Sequence, residues 1–199
     1  MELKAIVEAL IFASPEPITK KALARLLDQE TPEAIDEALE ALRADYERAG
    51  GLQFVEVAGG YQIVTRPELH EWVRRLFHDQ TTKKLSVSAL ETLAVVAYKQ
   101  PITAPEVTEI RGVNAAGVLG TLIERKLIKI VGRKQVVGRP FLYGTTREFL
   151  ERFGLNDLSD LPKVEDMSDL LGFDLPAQMG ESAPQTALPF EPDSEEKVH

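Results

Sequence analysis

One short pattern occurs twice in this chain, about 80 residues apart, and it limits the available folds more than any other feature. The first copy runs from Phe12 through Pro17-Ile18-Thr19 to Thr65-Arg66-Pro67-Glu68. The second runs from Tyr98 through Pro101-Ile102-Thr103 to Thr145-Thr146-Arg147-Glu148. Each copy reads as an apolar helix, a Pro-Ile-Thr turn, a short helix, a second helix, a hairpin and a Thr-x-x-Glu helix start. A chain of 199 residues holds two such units, each large enough for a modest core of its own.

The local signals of the first unit are consistent with that plan. Leu3, Ile6, Val7, Leu10 and Ile11 fall at helical spacing, and the apolar surface is wider than a single stripe. That excess makes Leu3, Val7 and Ile11 candidates for contact with a second copy. Pro15-Glu16-Pro17 ends the helix, because proline cannot continue the hydrogen-bond ladder. Thr19 suits an N-cap for a helix carrying Ala22, Leu23, Leu26 and Leu27. Thr31-Pro32-Glu33 opens the next, with proline at its first position, and Gly50-Gly51 stops it. Leu52–Val57 and Tyr61–Thr65 read as strands around Ala58-Gly59-Gly60. Thr65 and Glu68 have capping-box spacing ahead of Leu69, Trp72, Val73 and Leu76.

The second unit repeats these signals. Capping boxes are expected at Ser88/Glu91, Thr103/Glu106 and Thr145/Glu148. Asn114 starts a helix carrying Val118, Leu119, Leu122 and Ile123. Leu127–Val131 and Phe141–Thr145 are strands around a long wing, Gly132–Pro140. The fold class expected is mainly α with small β-hairpins: tandem winged-helix domains followed by a disordered acidic tail. The boundaries are 1–80, a polar linker at 81–85, 86–162, and the tail at 163–199.

Charge separates these regions. Residues 1–84 carry a net −4, 85–155 a net +4, and 156–199 a net −9. A tail this acidic and rich in Pro and Ser cannot bury enough apolar surface to fold. Its one apolar island, Leu170-Leu171-Gly172-Phe173-Asp174-Leu175, reads as a docking motif or a chance cluster. The two helices in the recognition position are poor base readers. The first carries Glu33, Asp36, Glu37, Glu40, Asp45 and Glu47 against Arg43 and Arg48, which phosphate would repel. The second has no charge from Asn114 to Ile123 and contains Gly117 and Gly120, each costing about 1 kcal/mol against alanine in a helix. Those glycines suit close approach of another backbone. The basic residues gather instead at the second wing: Arg125, Lys126, Lys129, Arg133, Lys134 and Arg139.

Catalysis has no visible constellation. There is no cysteine, so no thiol nucleophile, disulfide or thiolate metal site. His70, His78 and His199 lack ligand partners at metal spacing. Carboxylates on the acidic helix are spread along a solvated face. No stretch of 18 apolar residues spans a membrane, and no signal peptide is visible. The expectation is a chain that is not an enzyme, with no cofactor or metal and no membrane contact.

The run Leu85-Ser86-Val87-Ser88-Ala89-Leu90-Glu91-Thr92-Leu93-Ala94-Val95-Val96-Ala97-Tyr98-Lys99-Gln100-Pro101-Ile102-Thr103 resembles the segregation and condensation protein B (ScpB) family. So do Glu109–Val113, Gly132-Arg133, Gly138-Arg139-Pro140, Leu142–Thr146 and Phe149–Leu155. The first unit matches at Glu8–Phe12 and Gly60-Tyr61. The resemblance implies a homodimer formed mainly by the first unit. It also implies a kleisin partner (segregation and condensation protein A) on the second, and an SMC ATPase reached through the kleisin. It implies a cytoplasmic, nucleoid-associated role in chromosome condensation and partition, with DNA contact indirect or weak. The candidate partner residues are Tyr98, Gln100, Pro101, Arg111, Arg133, Arg139 and Tyr143, since arginine and aromatic side chains make good anchors. The alternative is a winged-helix transcription regulator, which needs the basic recognition helix that neither unit has.

Overall fold

The computed structural model describes residues 2–76 and 84–163. In the first unit, α1 (Leu3–Ala13), α2 (Lys20–Leu26) and α3 (Pro32–Tyr46) precede a hairpin of β1 (Leu52–Val57) and β2 (Gly60–Thr65). Thr19 and Thr31 both cap as expected, accepting from the backbone N–H of Ala22 and Ala34 at 3.2 Å. The buried face of α3 is Ile35, Ala38, Leu39 and Leu42, a helical i, i+3, i+4, i+7 stripe. It packs on Val7 and Ile11 of α1 and Leu23 of α2, with Tyr61 of β2 closing the core. Burying each large aliphatic contributes roughly 1.5–3 kcal/mol. The hairpin turns through Ala58 and Gly59, both at positive φ, the conformation a two-residue turn needs to match strand twist.

The second unit rebuilds this plan from α5 (Val87–Lys99), α6 (Ala104–Arg111) and α7 (Ala116–Glu124), followed by β4 (Ile128–Arg133) and β5 (Phe141–Thr145). Its own core gathers Leu93, Val96, Val107, Leu119, Leu122, Leu127, Ile128 and Phe149. A short strand that sequence alone did not suggest, β3 (Ile102–Thr103), pairs with β5 and makes a three-stranded sheet of order β3-β5-β4. The Pro-Ile-Thr segment is therefore a strand as well as a turn. In the first unit the same segment forms one bridge, Ile18 to Tyr61. Two further helices end the units: α4 (His70–Leu76) after a 3-10 turn at Pro67–Leu69, and α8 (Arg147–Phe153).

Helix starts differ from expectation at three of the four boxes. Glu106 does close on Thr103, accepting from its N–H at 2.8 Å and its hydroxyl at 2.7 Å. At the start of α5 the cap is Ser86, which accepts from Ala89. Ser88 lies inside the helix and Glu91 pairs with Arg111. At α8 the cap is Thr146, and Glu148 pairs with Arg152. Thr65 ends β2, and Arg66 at the following 3-10 turn has no side-chain cap. Asn114 accepts from Ala116 N–H at 2.9 Å, while α7 itself begins two residues later.

The units touch where the first hairpin meets the segment after α8. Ala58 N–H donates to Leu155 O at 2.9 Å and Gly59 N–H to Asn156 Oδ1 at 2.7 Å. Arg147 donates to Pro17 O at 2.5 Å.

Candidate functional site

The helix–strand corner of the second unit is organised by Gln100, at the end of α5. Its amide Oε1 accepts from Thr145 N–H at 2.8 Å, and Nε2 donates to Ala97 O at 3.0 Å. The side chain therefore ties α5 to β5 and aligns the strand beside Ile102. Gly144 makes room for it, since a Cβ there would lie 2.9 Å from Gln100 Oε1 and 3.0 Å from Val131 Cγ1. Tyr98 donates from its hydroxyl to Pro162 O at 2.7 Å, and burial pushes its phenol pKa up. Pro101 is exposed beside them. Tyr143 is half-buried against the core.

The Arg111 side chain is 13% exposed and is held by three contacts to α5. It donates to Ser88 O at 2.8 Å, to the Thr92 hydroxyl and to Glu91 at 2.6 Å. Thr92 itself is fully buried. This arginine joins α6 to α5.

The wing carries the other candidates. The Arg133 guanidinium sits 4.2 Å over the Phe141 ring, a cation–π contact that leaves the charge exposed. Arg139 is exposed at φ +41, in a turn closed by its own N–H to Val136 O at 2.9 Å. At the wing base Lys134 meets Glu106 at 2.5 Å. That ammonium, with the two Thr103 bonds, holds the Glu106 carboxyl down at about 2.

The α7 helix presents Gly117 and Gly120 to open space, with nothing within 4 Å of a Cβ at either. The backbone approach these glycines allow does not come from within the described residues of one chain. The α3 helix turns its carboxylates outward, several in ion pairs such as Arg43–Glu40 at 3.7 Å.

The apolar excess of α1 divides differently from expectation. Val7 and Ile11 are 0% and 1% exposed and fill the core of their own unit. Leu3 is half-buried against the same core. The most exposed large apolar residues among the described residues of this unit are Leu76 (80%), Phe12 (70%) and Trp72 (65%). Sequence reasoning used Trp72 and Leu76 only to locate a helix; their i, i+4 spacing outside any buried face was the missed signal.

Among the described residues no group of three His, Cys, Asp or Glu could hold a metal ion, and no helix is long and apolar enough to cross a membrane. His70 is exposed and bonds Pro67 O at 3.1 Å through Nδ1. His78, His199 and the Leu170–Leu175 island lie outside the described residues.

A family model described as segregation and condensation complex subunit ScpB matches residues 5–164. Segregation and condensation protein B of Syntrophotalea carbinolica is 50% identical over 171 residues, 85% of this chain and 86% of that protein. Its counterpart in Desulforamulus reducens is 46% identical over 165 residues, 83% of this chain and 91% of that protein. Among solved structures, ScpB from Mycobacterium tuberculosis is 36% identical, covering 77% of this chain and 96% of that one, at a TM-score of 0.37. A dimer of the ScpB N-terminal domain complexed with a ScpA peptide is 31% identical, covering 38% and 92%, at a TM-score of 0.36. Both superpositions fall below 0.5, so the family follows from the sequence matches.

Proposed function

The chain belongs to the segregation and condensation complex subunit ScpB family, and from that premise we propose that it is a non-catalytic subunit of an SMC–kleisin assembly. In this reading the assembly condenses and partitions chromosomes during cell division, in the cytoplasm at the nucleoid. Residues 1–80 pair with a second copy, 81–85 link, 86–162 hold the kleisin ScpA, and 163–199 form an acidic tail. The SMC ATPase is reached through the kleisin. DNA contact is indirect or weak.

The observation that carries this reading is the family match, which runs through both units from residue 5 to residue 164. The charge pattern supports it: an acidic α3 and an uncharged α7 face would gain little from phosphate. Within the second unit, Pro101, Arg133 and Arg139 are the exposed contacts, and Tyr98, Gln100, Arg111 and Tyr143 set the surface they stand on. For pairing, Leu3 joins Phe12, Trp72 and Leu76, whose exposed aromatic area is the kind that interfaces bury.

Calorimetric titration with the purified kleisin of the same genome tests the reading. A saturable complex is expected, weakened about ten-fold or more by Arg139→Glu in a folded protein. No binding heat and no co-elution would overturn the kleisin role. Binding that survives Arg139→Glu unchanged would move the contact off the wing.

A further inference from the structure

The second wing combines two properties that a solvated hairpin does not need. Between Arg125 and Thr146 there are six basic residues and no acidic one. Ile130 and Val131 on β4, Phe141 on β5 and Val137 in the turn between them are exposed, beside the exposed Arg133 and Arg139. The sheet order is β3-β5-β4, so β4 is an edge strand with one side unpaired among the described residues. Open strand edges flanked by apolar side chains are natural docking places for an extended segment.

The chain itself supplies a matching segment. Val164–Leu175 holds Glu165, Asp166, Asp169 and Asp174, no basic residue, and the apolar Leu170, Leu171, Phe173 and Leu175. Its point of departure is close to the wing sheet. Leu158 and Leu161 pack on the second core, and the Pro162 carbonyl is held by Tyr98. Tyr98 lies near the end of α5, just ahead of β3, which is bonded to β5. Six residues separate Lys163 from Leu170 and span about 20 Å when extended, at roughly 3.3–3.6 Å each. A unit of this size has a radius of gyration of about 11–12 Å, so the island reaches most of its surface.

We propose that the acidic, apolar segment Val164–Leu175 docks on the basic, apolar wing of its own chain. The acidic side chains face Arg133 and Arg139, and the Leu/Phe island covers Ile130, Val131, Val137 and Phe141. Tethering makes the encounter intramolecular, at an effective concentration near the millimolar range for a short linker, so a weak contact suffices. The wing is then covered in the isolated protein, and anything else that uses it must displace the tail. This contact is independent of which partner the second unit takes, and its test uses this chain alone.

The absence of cysteine makes disulfide trapping clean. The full chain carrying Ser168→Cys with Gln135→Cys, in the wing, is compared with Ser168→Cys with Glu33→Cys, on the exposed face of α3. Docking predicts that the first pair forms an intrachain disulfide at least five-fold faster than the second. It also predicts that adding Leu171→Asp and Phe173→Asp removes the difference without touching the folded units. Equal rates for the two pairs would overturn the proposal and leave the wing to an outside partner. A bond found only between two copies, on non-reducing electrophoresis across a dilution series, would overturn it too.

Discussion

In the first unit the segment after Pro17 touches its hairpin through a single bridge, Ile18 to Tyr61. In the second, the segment after Pro101 lays both Ile102 and Thr103 against β5. The residue before proline accounts for the difference: Glu16 is exposed, whereas Gln100 clips Thr145 with one amide atom and Ala97 with the other. A carboxylate lacks the N–H that the Ala97 carbonyl accepts. The glycines diverge in parallel. At Gly60 a Cβ would meet the Pro17 backbone at 2.9 Å, while at Gly144 it would meet the Gln100 side chain. One duplicated layout is thus closed by backbone contact in one unit and by a side-chain clip in the other. The surfaces have diverged further, with a tight turn at Ala58-Gly59 opposite a long cationic wing.

The strongest way to break this comparison is to show that the two cores are not separate. Leu42→Ala and Leu122→Ala should each cost about 3 kcal/mol, with hydrogen exchange rising mainly in the unit that carries the change. Equal acceleration in both units would mean they unfold as one.

A smaller effect sharpens the closure argument. Gly60→Ala should destabilise by about 2 kcal/mol through overpacking against backbone, and Gly144→Ala by less, because a side chain can move aside. Denaturant midpoints rank the two, and the reverse order would contradict the account. Converting the second closure toward the first, Gln100→Glu should cost about 1–1.5 kcal/mol through the lost hydrogen bond. The denaturant midpoint would report it, while the Thr145 N–H keeps an oxygen acceptor on the carboxylate.

The smallest effect lies at the wing base. The Glu106 pKa is depressed to about 2, so its contribution is fully present above the unfolded value near 4.5 and is lost as pH falls toward 2. The side chain is 37% exposed, so after solvent screening about 0.5–1 kcal/mol is at stake. Glu106→Gln should therefore lower stability at pH 7 and leave it nearly unchanged at pH 2.

Much of this was legible in sequence because it is local. Thr19 and Thr31 cap as their spacing suggests, and the Ile35–Leu42 stripe is periodic. What escaped was decided by contacts far along the chain. Strand β3 has two residues and no period; only its pairing with Leu142 and Tyr143 reveals it. Ser86 and Ser88, or Thr145 and Thr146, are equally good caps until packing fixes where the helix enters. On α1 the apolar face is wide enough that sequence could not say whether Val7 or Phe12 points inward. The ion pair of Arg111 was equally hidden, because Glu91 lies 20 positions away on another helix.

The central claim is that this chain serves an SMC–kleisin complex through protein contacts. The most direct measurement is to tag the protein in its own host, capture it from nuclease-treated lysate, and identify by mass spectrometry what accompanies it. The account predicts the kleisin and the SMC ATPase in both treated and untreated lysate. Recovery of neither, with strong retention of DNA in untreated lysate, would contradict it and favour a winged-helix regulator.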